Sequence, residues 1–212
     1  PSRGLGDVYK RQVIHGDYAE IAQAGTLDSV TQYELWKGIW SSLHDENFWE
    51  LDHALARHQA IASKTLPNTF IGNHDVDRIA SKVGQDRAIL ALAILMSVAG
   101  MPSIYYGDEQ GFEGLRTEGF SADDSVRPAL PASPKELSPL GNWIYVEHQK
   151  LIGVRRRNRW LTRATTEVLD KTNETISFRS FSDDGELQLD AWVQPKPGVR
   201  IHAGGETLYE WS

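Results

Sequence analysis

The stretch FIGNHDVDRIAS, Phe70 to Ser81, decides how this chain reads. Thr69, Phe70 and Ile71 have the β-branched and aromatic character of a buried strand, and Gly72 with Asn73 marks where that strand stops and the backbone turns. His74 and Asp75 therefore fall at a strand's C-terminal end, the place from which parallel α/β proteins present catalytic side chains. Taken alone, an Asn-His-Asp triplet also fits an Asx turn or a helix cap.

Working outward, a second run of the same design follows in GMPSIYYGDEQGFEG, Gly100 to Gly114. Pro102 is expected to start a strand that Ser103 to Tyr106 continue, and Gly107 to end it before an acidic, glycine-rich loop with Asp108 and Glu109. Between the two strands, Gln85 to Val98 is almost continuously apolar (Ile89, Leu90, Leu92, Ala93, Ile94, Met96) and predicts a buried helix closed by Gly100. Strand, loop, helix, strand is a βαβ unit, which sets the two strand ends side by side on one face of a sheet.

The pattern FxxNHD, carried here by Phe70, Asn73, His74 and Asp75, resembles a short sequence region of the α-amylase family of glycoside hydrolases at the end of barrel strand seven. The run through Tyr106 and Asp108 resembles the eighth strand and its loop, and Val13 to Trp40 resembles the segment around strands five and six, with Val30 to Leu35 as strand six. The resemblance covers most of Val13 to Ser212. It implies an α/β fold, the C-terminal half of a (β/α)8 TIM barrel over 13–159, followed by a small antiparallel all-β sandwich over 160–212. It also implies that Asp75 is the carboxylate that stabilises the transition state and that His74 contacts sugar hydroxyls. Asn73, Arg127 and Tyr106 join them as substrate-binding candidates. Arg127, in DDSVRPAL, would brace the loop after strand eight, a surface salt bridge being the other reading. Of Tyr105 and Tyr106, successive residues that point to opposite faces of one strand, at least one is expected in the core.

One departure from the family bears on mechanism. The family's acid/base Glu would stand just before Val13, where this chain has Gln12, and an amide cannot protonate a leaving oxygen. Residues 1–12, PSRGLGDVYKRQ, lack the expected apolar strand and are read as a non-native leader. A retaining glycosidase needs two carboxyl groups roughly 5 Å apart, and the family's nucleophile lies at strand four, upstream of this chain. The expectation is a fragment of a glycosidase or transglycosylase acting on α-glucans or maltooligosaccharides, inactive as written. The alternatives are a non-catalytic sugar-binding or scaffold protein on a barrel remnant, and a metal-dependent phosphohydrolase using His74 and Asp75 as ligands, which needs two further ligands.

Composition narrows the classes further. At 212 residues the chain falls short of the roughly 250 of a whole barrel. A formal net charge of -7 disfavours nucleic acid and anionic membranes as partners. The absence of cysteine removes disulfides and thiolate chemistry and suits a bacterial cytoplasmic enzyme. No run of about 18 apolar residues is present to span a bilayer. Oligomeric state is not legible.

This reading assigns no metal site and leaves calcium dependence open. Asp108 and Glu109 are expected to be solvated turn residues or, at most, oxygen ligands of the calcium type. His53 and His58, on a helix predicted over Asn47 to Ala62, are expected at the surface. Asn142 to Arg157 predicts a further helix with Arg155, Arg156 and Arg157 in its last turn, where basic residues suit the helix dipole. Beyond it, short β-rich pieces recur at Thr165 to Leu169, Thr175 to Ser182, Leu187 to Val193, Val199 to His202 and Thr207 to Trp211.

Overall fold

A computed structural model of the chain describes residues 29–119 and 123–212, together with Glu20. The leader expected over 1–12, Gln12 included, lies outside the described residues. The first helix, α1 (Tyr33–Asp45), is followed by α2 (Phe48–Ala62), whose N-terminus is capped by the Asn47 side chain accepting from the Trp49 amide at 3.2 Å. Then come β1 (Asn68–Phe70), the short α3 (Ile79–Val83), α4 (Gln85–Ser97) and β2 (Met101–Ser103). A long irregular loop leads to α5 (Asn142–Arg157).

The strand expected over Val30 to Leu35 does not form. Its V-T-Q-Y-E-L alternation resembles a strand, yet Leu35, Ile39 and Leu43 recur at helical spacing and are all fully buried, so α1 takes over at Tyr33. What remains extended is Val30 to Gln32. Thr31 pairs in parallel with Asn68, the Asn68 amide donates to Val30 at 2.8 Å, and the Gln32 amide donates to Asn68 at 2.9 Å. On its other side β1 pairs in parallel with β2, with Asn68 opposite Met101 and Phe70 opposite Ser103. Three parallel strand ends thus lie in the order Thr31, β1, β2. The second strand is shorter than expected: it ends at Ser103, and Tyr105 and Tyr106 belong to the turn beyond. Helix α4 connects the two and, past its polar first turn, is apolar on every side and buried from Ala88 to Ser97.

Beyond α5, β3 (Thr165–Lys171), β4 (Thr175–Ser182), β5 (Gly185–Trp192), β6 (Gly198–Ala203) and β7 (Glu206–Trp211) form one antiparallel sheet in sequence order. The expected sandwich is therefore corrected to a single five-stranded meander whose second layer is helical. Alternation explains it: Ile176, Phe178, Ser180, Leu187, Leu189, Ala191, Val199 and Ile201 are buried on one face, against α4 and α5. The opposite face carries ion pairs such as Arg179 with Glu167 and Arg200 with Glu210. Buried apolar residues of the helices and of the sheet form one continuous cluster. No helix among the described residues is long and apolar enough to cross a membrane.

Candidate functional site at the strand ends

Gly72, just past β1, has no room for a side chain, because a Cβ there would lie 2.6 Å from Oδ2 of Asp108. The next residue closes an Asx turn. Asn73 Oδ1 accepts from the Asp75 amide at 2.8 Å, while its Nδ2 donates to the Tyr33 hydroxyl at 3.0 Å. Both polar ends of Asn73 are thus engaged in shaping the backbone, so the bland turn and the site coexist in one triplet. The turn sets His74 and Asp75 side by side, with His74 Nε2 3.3 Å from Asp75 Oδ2.

Arg127 arrives from the long loop and clamps the pair. Its Nε donates to the His74 carbonyl at 2.8 Å, and its Nη2 donates to Asp75 Oδ1 at 3.1 Å and to Asp123 Oδ2 at 2.6 Å. Arg116 Nε donates to the other oxygen of Asp123 at 2.7 Å, fixing the carboxylate that fixes Arg127. Arg127 forms a surface ion pair that also ties the long loop to the end of β1. Exposed pairs of this kind add little stability, so the clamp's effect is geometric. It holds Oδ1 of Asp75 and leaves Oδ2 toward His74, with the Asp75 side chain 29% and the His74 side chain 58% accessible.

Tyr106 presents its hydroxyl to the loop, donating to the Pro128 carbonyl at 2.9 Å. Neither Tyr105 nor Tyr106 is fully buried; the rings meet edge-on at 4.7 Å, and both lie against the guanidinium of Arg78. Burial, then the neighbouring Tyr106, pushes the Tyr105 hydroxyl above its ordinary range.

Sequence reasoning missed Arg78 and misjudged Asp108. Asp108 is not a solvated turn residue. It is buried, with Oδ1 accepting from Arg78 Nη1 at 3.0 Å and Oδ2 packed on Gly72. Burial pushes its carboxyl up to about 7 even with Arg78 pulling it down. Glu109 turns back to accept from the Gly107 amide at 2.8 Å. Asp108 is thus engaged by Arg78, and one oxygen of Glu109 by the Gly107 amide. Among the described residues no group of three or more His, Asp or Glu side chains is placed to hold a metal ion, as the phosphohydrolase alternative requires. His53 is exposed, but His58 is buried, its Nε2 bonded to the Ala99 carbonyl at 3.0 Å, which corrects its expected surface position. The readable signal for Arg78 was its place three residues after Asp75, followed directly by apolar Ile79 and Ala80.

A family model described as alpha amylase, catalytic domain, matches residues 24–174. The 4-alpha-glucanotransferase of Thermotoga neapolitana is 27% identical over 184 residues, which are 75% of this chain and 40% of that protein. Alpha-amylase SusG of Bacteroides thetaiotaomicron is 46% identical over 131 residues, 58% of this chain and 18% of that protein. The crystal structure of AmyP in complex with maltose matches with a TM-score of 0.69 at 19% identity, over 78% of this chain and 40% of that one, which shows a shared fold. The chain spans less than half the length of each of these relatives. Parallel strand ends backed by helices and followed by an antiparallel sheet are consistent with a partial TIM barrel carrying a sheet domain. Because the catalytic-domain model covers the strand ends, the His74–Asp75 turn and the clamp around it, this chain belongs to the α-amylase family.

Proposed function

We propose that the strand-end site is the charge-stabilising part of an active site that cleaves or transfers α-glucosidic bonds of α-glucans. In this reading Thr31, β1 and β2 correspond to barrel strands six, seven and eight. Asp75 favours the sugar ring as it flattens and gains oxocarbenium character, while His74 holds a neighbouring hydroxyl. Asn73, Arg127 and Tyr106, first considered as sugar contacts, serve chiefly to fix these two.

The observation that carries the reading is the Arg127 clamp, which grips one oxygen of Asp75 and the His74 backbone and leaves the second oxygen of Asp75 beside an accessible imidazole. The complex of AmyP with maltose and the glucanotransferase among the relatives support an α-glucan as ligand.

Asp75 stabilises charge but does not by itself break a bond. A retaining mechanism needs a nucleophile and an acid/base roughly 5 Å apart. Nearby Asp123 is engaged by Arg116 and Arg127, and Asp77 by Lys82 and the Arg116 amide. The 212-residue chain by itself is accordingly proposed to bind maltooligosaccharides without turning them over.

Calorimetric titration with maltotriose tests this. Millimolar affinity, about 4 kcal/mol of binding free energy, is expected for so partial a site. Asp75→Ala and His74→Ala should each weaken it several-fold; unchanged affinity in both variants would overturn the assignment. Reducing-end release by the wild-type chain that disappears in Asp75→Ala would overturn the inactivity.

A further inference from the structure

Arg78 is the largest fully buried side chain in the molecule among the described residues, and it lies directly beneath the proposed site. Its Nη1 donates to the Tyr106 carbonyl at 2.5 Å and to Asp108 Oδ1 at 3.0 Å. The guanidinium carbon sits 4.2 Å from the Tyr105 ring centroid, 5.0 Å from that of Tyr106 and 6.0 Å from that of Phe112. The backbone of the same segment is stitched to the loop beyond β2, with the Arg78 amide donating to the Gly114 carbonyl and the Gly114 amide to Ser81 Oγ.

These contacts belong to a closed circuit. Arg78 holds Tyr106 through its carbonyl; Tyr106 holds Pro128 through its hydroxyl; Arg127, the residue before Pro128, holds His74 and Asp75; and Asp75 is three residues from Arg78. Each of these bonds joins a different loop to the next.

Stability alone does not account for such a pair. Nε and Nη2 of Arg78 and Oδ2 of Asp108 have no hydrogen-bond partner among the described residues, and a buried ion pair left partly unsatisfied is commonly matched or exceeded in stability by apolar residues of similar volume. What an apolar pair could not do is address a carbonyl, a carboxylate and two tyrosine faces from one rigid planar group. We propose that Arg78 is a positioning residue: paired with Asp108, it locks the C-terminal ends of β1 and β2 together and, through Tyr106 and Pro128, sets where Arg127 holds Asp75 and His74. The consequence for sugar binding rests on the function proposed above, whereas the mechanical link does not.

Two variants test it. Arg78→Met with Asp108→Leu removes the pair while keeping volume, and Tyr106→Phe breaks the single bond to Pro128 without disturbing a buried charge. The readouts are urea unfolding, to establish that each variant is folded, hydrogen exchange of the Arg127 Nε–H that the His74 carbonyl accepts, and maltotriose affinity. Exchange about tenfold faster and affinity about twofold weaker, less than on removing Asp75 or His74 itself, are expected in both variants, sizes within the range of couplings carried through packed networks. Wild-type exchange at Arg127 in folded variants would overturn the inference. Should the double variant not fold, Tyr106→Phe decides alone. Should maltotriose fail to bind even the wild type, the functional reading falls, and the exchange measurement still decides the tether.

Discussion

Two buried arginines guard opposite ends of β2 and do different work. At the N-terminal end, Arg155 reaches from α5 and donates to the carbonyls of Met96 at 3.2 Å, Val98 at 2.5 Å and Gly100 at 2.5 Å. These are carbonyls of the last turn of α4 and of the connection into the strand, groups a helix end leaves without partners. Burial pushes the Arg155 guanidinium down to about 10, still charged at neutral pH, and its partners are all backbone. His58, from α2, takes the intervening Ala99 carbonyl. At the C-terminal end, Arg78 meets a carboxylate, tyrosine rings and one carbonyl under the site. The contrast is a division along the strand: the N-terminal end is tied through main-chain carbonyls, and the C-terminal end largely through side chains beneath the proposed site, in keeping with how barrel folds generally divide stability from function.

The sharpest way to break that comparison is to remove each arginine and measure urea unfolding. Arg155→Met strips the donor from three buried carbonyls and should cost about 3–5 kcal/mol. A loss under about 1 kcal/mol, no more than one ordinary hydrogen bond, would deny the N-terminal end its stabilising role.

The next largest effect is a pH dependence at the same end. Burial, with Arg155 adding like charge, holds the His58 imidazole down to about 4 in the folded chain. The unfolded chain therefore takes up this proton first as pH falls. Its contribution is complete above pH 6.5 and is lost between 6.5 and 4, by about 3 kcal/mol in all. His58→Gln, which keeps a donor for Ala99, should flatten this part of the stability profile between pH 7 and 4.5; an unchanged slope would assign it to other groups.

Smaller effects are expected at the other end. Arg78→Met with Asp108→Leu should leave the unfolding free energy unchanged or raise it, since apolar replacement of a buried pair is often neutral or favourable. A large loss would make the two arginines equivalent and erase the contrast. Arg127→Met, on the exposed clamp, should change stability by no more than about 0.5 kcal/mol while weakening maltotriose binding.

The sequence reported some of this division better than the rest. The strand end at Gly72 to Asp75 and helix α5, matched from Asn142 to Arg157, rest on local signals: an apolar run stopped by Gly-Asn, and basic residues in the helix's final turn. The β-strands after Thr165 were placed to within two residues because alternation and turn residues are local as well. What escaped depends on partners far along the chain. Asp108 looked like a loop acid until Arg78, 30 residues away, was seen against it, and His58 meets Ala99 across 41 positions. Val30 to Leu35 failed for a different reason: β-forming residues at its start obscured the helical spacing that begins at Leu35. The sandwich failed because alternation shows that a sheet has one buried face without saying whether strands or helices cover it.

The central claim is that the α-glucan site lies at the β1 strand end, on His74 and Asp75. An NMR titration of the ¹⁵N-labelled chain with maltotriose tests it most directly. The account predicts shifts concentrated at Asn73 to Asp75 and at the Arg127 Nε–H, with the outer face of the five-stranded sheet unaffected. Shifts on the sheet face with none at residues 73–75 would contradict it.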